Sequence, residues 1–483
     1  MKVFHTTATT VAVSITAVLG MFGTPAFAHN GEHHEPNNGF NTSIPAFYDH
    51  GTLHPSGSGQ INGNSPISRT NPVTGATVRK NVAKLTSEDK GAFVNALLTL
   101  KNTFLEGSKL SIYDQFVVEH VGSMGMMLPT AIGPAAGFDA AHATAAFLPW
   151  HREYLYRFEE ALQSVDPTVT IPYWDWTDPN ALDIIFQDNF LGPNGTGTTI
   201  NLPGLGSFEG GAVQSGYFSE ANGWTLREDL HINPITNETL GTSLLRFLKL
   251  PPGDRYPIFQ QEVDQVLAID DYNFFRPALE GFATDEQGNL LFTQHNYVHG
   301  VVGGALFDPV TGKPTPLGTM ANILSSPNDP VFWLLHSNVD RLWAEWQENG
   351  HAGIDFYPAT GQLFGKNLND PMWPWDGGLS IPGNLGPGDL LSLLPRYAPD
   401  DIVTPANVLD FRNLGYTYDT ISASVPEPTS TLGLLGLGAL GAGSLLKRKR
   451  KQKDLSYFPL NYSQLEAEVV KNEVTLSAAS FSE

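Results

Sequence analysis

Apolar residues return at three- and four-residue steps in four separated stretches of the chain, as helices with one face turned to a core require. The first runs VRKNVAKLTSEDKGAFVNALLTLK from Val78, where Thr86 followed by Asp89 approximates a capping box. The second is SIYDQFVVEH, ending at His120, and the third, HREYLYRFEEALQSV, starts at His151. The fourth is PVFWLLHSNVDRLWAEWQ, from Pro330 to Gln347. Ahead of it, Asp329-Pro330 fits an N-cap followed by proline at the first helical position, where no N–H is needed. Residues 177–235 and 351–420 are dense in glycine, proline and asparagine and read as long loops wrapped around the helices. No repeat of solenoid length is present. The expected fold is mainly α, an antiparallel four-helix bundle with long irregular loops and few short strands.

The two ends follow other rules. Lys2, an apolar stretch from Val11 to Phe22 and the small-residue site Ala26-Phe27-Ala28 read as a secretory signal over 1–28, with the mature chain starting at His29. Residues 29–71 read as an irregular segment. Toward the other end Val425-Pro426-Glu427-Pro428 precedes an apolar run, Thr431–Leu446, and a basic cluster, Lys447–Lys453. That run as a helix spans about 24 Å against a hydrocarbon core of roughly 30 Å, and its glycines weaken the helix, so a permanent span is marginal. The arrangement over 421–453 resembles the PEP-CTERM sorting tag of bacterial exported proteins. The resemblance implies processing by a membrane exosortase, transient membrane attachment through 425–453, and a periplasmic, cell-surface or extracellular location. Such tags usually end at the basic cluster, whereas here a tail of unassigned role, 454–483, follows.

Lys and Arg number 27 against 49 Asp and Glu, a net charge of −22, which argues against nucleic acid as a partner because binding it relies on cations that neutralise phosphate. The chain has no cysteine. Thiolate metal sites, cysteine nucleophiles and disulfides are thereby excluded, and a transition-metal site must draw on His, Asp or Glu. His29, His33 and His34 form a small His-rich patch that reads as a solvated tail rather than a metal scavenger.

Six of the histidines fall into two groups of three. His120, His142 and His151 lie in SIYDQFVVEH, AAHATAAF and FLPWHREYLYRFEEAL; His295 and His299 lie in QHNYVHG, and His336 in FWLLHSNVDRLW. The four-residue step from His295 to His299 places both imidazoles on one helix face, where they can chelate one ion. His151 and His336 each follow a phenylalanine by four residues, Phe147 and Phe332, and each has a tryptophan close by, Trp150 and Trp333. Two helix pairs built alike, each sending histidines inward, place a metal site between facing helices, with the aromatics packed around the imidazoles to hold their rotamers. Imidazole suits Cu, Zn, Fe and Ni, so the donor set alone does not choose the metal. Asp340, four residues after His336, is placed either to accept a hydrogen bond from a ligand imidazole or to pair with Arg341 or another cation at the helix surface.

These motifs resemble those of tyrosinases, catechol oxidases and the related hemocyanin sites, the type-3 dicopper proteins. The resemblance covers approximately 72–420. It rests on VRKNV, HATAAFLPWHREYLYRFE, IPYWDWT (Ile171–Thr177), HNYVHGVVGG, SPNDPVFWLLHSNVDRLW and LGYTYD (Leu414–Asp419). It implies two copper ions, one held by His120, His142 and His151 and the other by His295, His299 and His336, with dioxygen and phenolic or catecholic small molecules as partners. Without cysteine, His142 carries no thioether link. The implied activity is hydroxylation of monophenols to o-diphenols and oxidation of o-diphenols to o-quinones. A catechol oxidase lacking the first step and a hemocyanin-like oxygen carrier are the alternatives, and a chain with no large shielding domain after LGYTYD favours the enzyme. In such enzymes a glutamate and an asparagine hold a water that takes the phenol proton. Asn296 matches the asparagine and Glu280, in RPALEGF, the context of the glutamate, while Glu286 lies nearer His295 along the chain and stays open. Ile323 falls at the position that gates the second copper, where an aliphatic side chain leaves room for bulky phenols.

Overall fold

The structure, a computed structural model, describes residues 77–125, 139–233, 238–251, 253–284, 290–307, 314–361, 363–378 and 399–421. The expected signal over 1–28, the segment 29–71, the sorting segment after Ile421 and the tail 454–483 lie outside the described residues.

The first helix starts where its cap dictates. The Thr86 hydroxyl accepts from the Asp89 N–H and the Asp89 carboxylate from the Thr86 N–H, both at 3.1 Å, and α1 (Ser87–Asn102) follows. The helical periodicity read from Val78 does not hold ahead of that cap. Thr77–Arg79 is instead a strand paired in parallel with Tyr416–Tyr418, and Val82–Lys84 is a single 3-10 turn. Long-range pairing with the far end of the domain overrides the local pattern there.

Further helices are α2 (Ile112–Gly125), α3 (Phe147–Val165), α4 (Ala181–Ile185), α5 (Gln260–Leu267), α6 (Tyr272–Glu280), α7 (Gln294–Gly303), α8 (Val331–Trp346) and α9 (Pro405–Val408). Before α8, Asp329 accepts from the Val331 N–H at 3.1 Å while ion-pairing with Arg246 at 2.7 Å; the cap position falls one residue later than expected, on Pro330, just ahead of the first helical residue. Ring contacts give the helix directions. His120 meets His151 and Phe116 meets Phe158, so α2 and α3 run antiparallel. Phe158 stacks on Trp333 at 3.4 Å and His151 on His336 at 4.3 Å, so α3 and α8 also run antiparallel. His295 and His299 approach His336 and Phe332 in the same opposed sense, which sets α7 against α8. These four helices enclose a core dense in aromatic rings, with Trp150, Trp333, Trp343 and Trp346 buried.

Strands are few and short among the described residues. The longest form a hairpin, Thr196–Leu202 with Gly206–Ala212, extended by Leu245–Arg246. It lies inside the stretch read as loop, because its mostly exposed first strand lacks the alternation that marks a half-buried one.

The chain ends of the domain are tied by charge. Arg79, fully buried, reaches Glu159 on α3 at 2.8 Å and Asp340 on α8 at 3.2 Å, and lies 3.7 Å from the Tyr416 ring centre. Arg152 reaches the other Asp340 oxygen at 2.6 Å, and the Tyr416 and Tyr418 hydroxyls donate to Asp340 at 2.6 and 2.5 Å.

Candidate metal centre

Four helices and one loop deliver the first triad and its neighbour to one place. His120 comes from the C-terminal half of α2, His151 from the first turns of α3, and His142 from the turn ahead of α3. His295 and His299 project from one face of α7, and His336 comes from α8. Within each triad, His120–His142–His151 and His295–His299–His336, one nitrogen from every imidazole lies within 4.8 Å of the others, and all six are buried. The His151–His336 ring stack brings the triads side by side.

The rings are oriented by what their Nδ1 atoms touch. His120 lies 3.0 Å from the Leu324 carbonyl, His151 2.8 Å from Phe147 O, His295 3.1 Å from Glu280 O and His299 2.8 Å from Met320 O. A carbonyl only accepts, so each of these Nδ1 atoms carries the proton and each Nε2 presents a lone pair. His295 and His299 therefore aim two lone pairs at one another across 3.1 Å, an arrangement with no proton to share. The Nε2 atoms of His120, His142 and His151 are buried with no hydrogen-bond partner among the described residues. Buried acceptors without donors are costly, and a cation between them removes that cost. Two nitrogens each about 2.0–2.1 Å from one tetrahedral ion stand about 3.3 Å apart, so the spacing fits a first-row metal.

Charge state agrees with that fit. Burial pushes His120, His151, His295 and His336 well below their ordinary value, and His299 down to about 4, so these rings are neutral and ready to ligate near pH 7. His142 differs. Burial lowers it too, but the Asp139 carboxylate, 3.4 Å from its Nδ1, and the charge of Glu280 outweigh that and raise it. His336 has no partner on Nδ1 among the described residues; its ring is packed between His151 and the Phe332 ring at 4.0 Å, with its Nε2 3.2 Å from His295 Nε2.

Around the triads, Phe147 packs on His151 at 4.8 Å and on His295 at 5.0 Å, and Phe332 touches rings of both groups. Glu280, the last residue of α6, is buried beside them. Its Oε1 accepts from the Ala143 N–H at 2.7 Å, the residue after His142, and its Oε2 pairs with Arg276 one turn back. Burial raises the Glu280 carboxyl, although Arg276, His142 and the Ala143 N–H pull it down. Asn296 is half-buried, its Oδ1 3.1 Å from His295 Nδ1. Ile323 is half-buried between Met320 and Leu324, the two residues whose carbonyls orient His299 and His120. Glu286 lies outside the described residues.

Asp340 touches no ligand imidazole; it pairs with other cations than Arg341, in the interior and not at the helix surface. Both oxygens are occupied by Arg79, Arg152, Tyr416 and Tyr418, and the residue is buried rather than at the helix surface. One turn beyond His336, it faces α3 and the closing strand instead of the imidazoles. Asp139 is the carboxylate that touches a histidine of the triads. Its place three residues before His142, with its Oδ1 also accepting from the Ala141 and His142 N–H groups at 2.8 Å, is a turn signal present in the sequence as FDAAH. The carbonyl acceptors carry no such signal, since any residue type supplies them.

Six imidazoles in two adjoining triads on a helical scaffold define a dinuclear metal protein with all-nitrogen ligation. Residues 110–349 match the common central domain of tyrosinase. A tyrosinase of Streptomyces glaucescens is 36% identical over 329 residues, covering 67% of this chain and 99% of its own length. Grixazone synthase of Streptomyces griseus is 32% identical over 324 residues, covering 62% of this chain and 93% of its own. Among solved structures, a polyphenol oxidase of Thermothelomyces thermophila aligns with a TM-score of 0.45 at 21% identity, covering 71% of this chain and 88% of that one. The chain belongs to the tyrosinase family, and its cofactor is a pair of type-3 copper ions. Residues 424–451 match the PEP-CTERM protein-sorting motif, a mark of exported bacterial proteins.

Proposed function

We propose that the protein hydroxylates monophenols to o-diphenols and oxidises o-diphenols to o-quinones, with His120, His142 and His151 holding one copper and His295, His299 and His336 the other. The observation that carries this reading is the pair of buried triads, whose inward nitrogens among the described residues have no partner in the first triad and only one another in the second. Bound there, the copper pair supplies the electrons that activate dioxygen against the phenol ring.

The chain's own part is to admit and deprotonate the phenol. A free phenol has a pKa of about 10 and must lose its proton to react near neutrality. Glu280 and Asn296 flank His295, the first through its carbonyl and the second through its amide oxygen, and a water held between them takes that proton. A carboxyl raised by burial is better matched to accept a proton near neutral pH than an exposed one. Half-buried Ile323 acts as the gate, wide enough for bulky phenols, and the Phe147 and Phe332 rings keep the imidazoles in place. Cleavage after Ala28 and exosortase processing within 425–453 would deliver the enzyme to the periplasm, cell surface or medium; N-terminal sequencing of exported material should begin at His29.

The test is the ratio of monophenol to catechol turnover. Wild type should act on both, and inertness toward every monophenol tried would reduce the reading to a catechol oxidase. Oxygen bound reversibly, with no turnover of either substrate, would make it a carrier.

A further inference from the structure

His231 belongs to neither triad, yet it is fully buried. Its Nδ1 lies 2.9 Å from the Gly241 carbonyl and so donates, which leaves Nε2 to accept from the Thr319 hydroxyl at 3.1 Å. The same hydroxyl oxygen accepts from the Leu245 N–H at 3.0 Å, and the Thr319 N–H donates to the Leu245 carbonyl at 2.9 Å. Thr319 is thus fastened through side chain and backbone together.

The fastening matters because of the residues next to Thr319 in the chain. Met320 presents its carbonyl to His299 Nδ1 at 2.8 Å, and Leu324, four residues further on, presents its own to His120 Nδ1 at 3.0 Å. One short segment therefore orients an imidazole in each triad. Its outer side is tied again to the chain around His231, since Asn322 donates to the Ile232 carbonyl at 2.6 Å and Asn328 to the Leu230 carbonyl at 3.0 Å. A buried apolar contact would stabilise this region as well, but without direction. Hydrogen bonds fix where a carbonyl points, and a misdirected carbonyl leaves the imidazole it serves free to turn or change tautomer.

We infer that His231 is a positioning residue for both metal sites, acting through Thr319 to hold the Met320 and Leu324 carbonyls against His299 and His120. The inference rests on the assignment of those two histidines as copper ligands. It adds a second layer to the site that begins more than sixty residues before the first ligand of the second triad.

The experiment uses the full copper-loaded chain and follows copper release to a competing chelator, with the melting temperature of the metal-free protein measured beside it. Thr319→Val keeps the side-chain shape and removes the hydroxyl, and His231→Leu removes the acceptor. Each should release copper about tenfold faster than wild type, the lower end of what loss of an outer hydrogen-bond partner does to a metal site. The double variant should release it no faster than either single one. Thr319→Ser and His231→Gln, which keep a hydroxyl and an acceptor, should stay near the wild-type rate. Wild-type release from both Thr319→Val and His231→Leu, with only a lowered melting temperature, would overturn the inference by making the pair structural alone. Should His231→Leu fail to fold, the Ser and Val variants at Thr319 decide the matter. A wild-type chain that binds no copper would be a different failure, overturning the ligand assignment itself.

Discussion

Two buried polar clusters lie one helical turn apart on the same pair of helices, and they are built on opposite terms. Around Asp340 each charged group meets one of opposite sign: Arg79 and Arg152 flank the carboxylate, Glu159 takes the rest of Arg79, and two tyrosine hydroxyls donate to Asp340. Arg152 Nη2 alone in the cluster lacks a partner among the described residues. Around His151 and His336 the inward nitrogens have, among the described residues, no partner in the first triad and only one another in the second. The closed cluster ties the first and last strands of the domain to α3 and α8. The open one finds its complement in no described residue and is completed by the metal pair. The contrast separates a polar group buried for architecture from one buried for chemistry, even though His151 and Arg152 are neighbours in sequence.

Substitutions on either side put this contrast to the test. The largest effect belongs to the open cluster: His299→Ala or His336→Ala should remove one of two coppers and abolish catechol oxidation, as read by metal analysis and turnover. Full activity with one copper per chain would end the dinuclear reading. Next, Asn296→Ala and Glu280→Gln should lower monophenol turnover by about 10²–10⁴-fold, and catechol turnover much less, because a catechol binds and loses its protons more readily. Copper content should be unchanged in both, and Gln keeps an oxygen for the Ala143 N–H. Equal losses on the two substrates would point instead to damaged copper geometry.

The closed cluster should answer in stability. Asp340→Ala leaves buried Arg152 without its carboxylate, and Arg79 with Glu159 alone, and should cost about 3–5 kcal/mol in urea unfolding of the metal-free protein. Acid should act on the same group. Burial opposes ionisation of Asp340, but Arg152, Arg79 and the tyrosine hydroxyls hold its carboxyl below the usual range. Its contribution is therefore full above the unfolded value of about 3.9 and is lost as pH falls through the lower folded value, so wild type but not Asp340→Ala should lose stability steeply there. Smallest is the cap: Thr86→Ala should cost about 1 kcal/mol with copper content and turnover intact.

What could be read in the sequence divides along the same line. Helices α1, α2, α3 and α8 were legible because each keeps an apolar face over several turns, and the six histidines because fixed flanking motifs accompany them. The strand at Thr77–Arg79 was not, because its partner lies more than three hundred residues away, and that pairing is invisible to local periodicity. Asp340 was legible only in part, as one half of an ion pair but not as a buried one, for a related reason. Spacing along α8 placed it near His336, but the arginines that claim it come from other elements. Main-chain carbonyls at Met320 and Leu324 were illegible in principle, since the residue type does not matter to the hydrogen bond they accept.

The most direct measurement is copper stoichiometry in the purified, copper-loaded wild-type chain set beside His336→Ala and Asp340→Ala. Two coppers are expected in wild type, one in His336→Ala, and two in whatever fraction of Asp340→Ala stays folded, together with a new visible absorption on adding oxygen to reduced wild type. One copper in wild type with undiminished catechol oxidation, or loss of copper from folded Asp340→Ala as complete as from His336→Ala, would contradict the division between an architectural cluster and a metal-binding one.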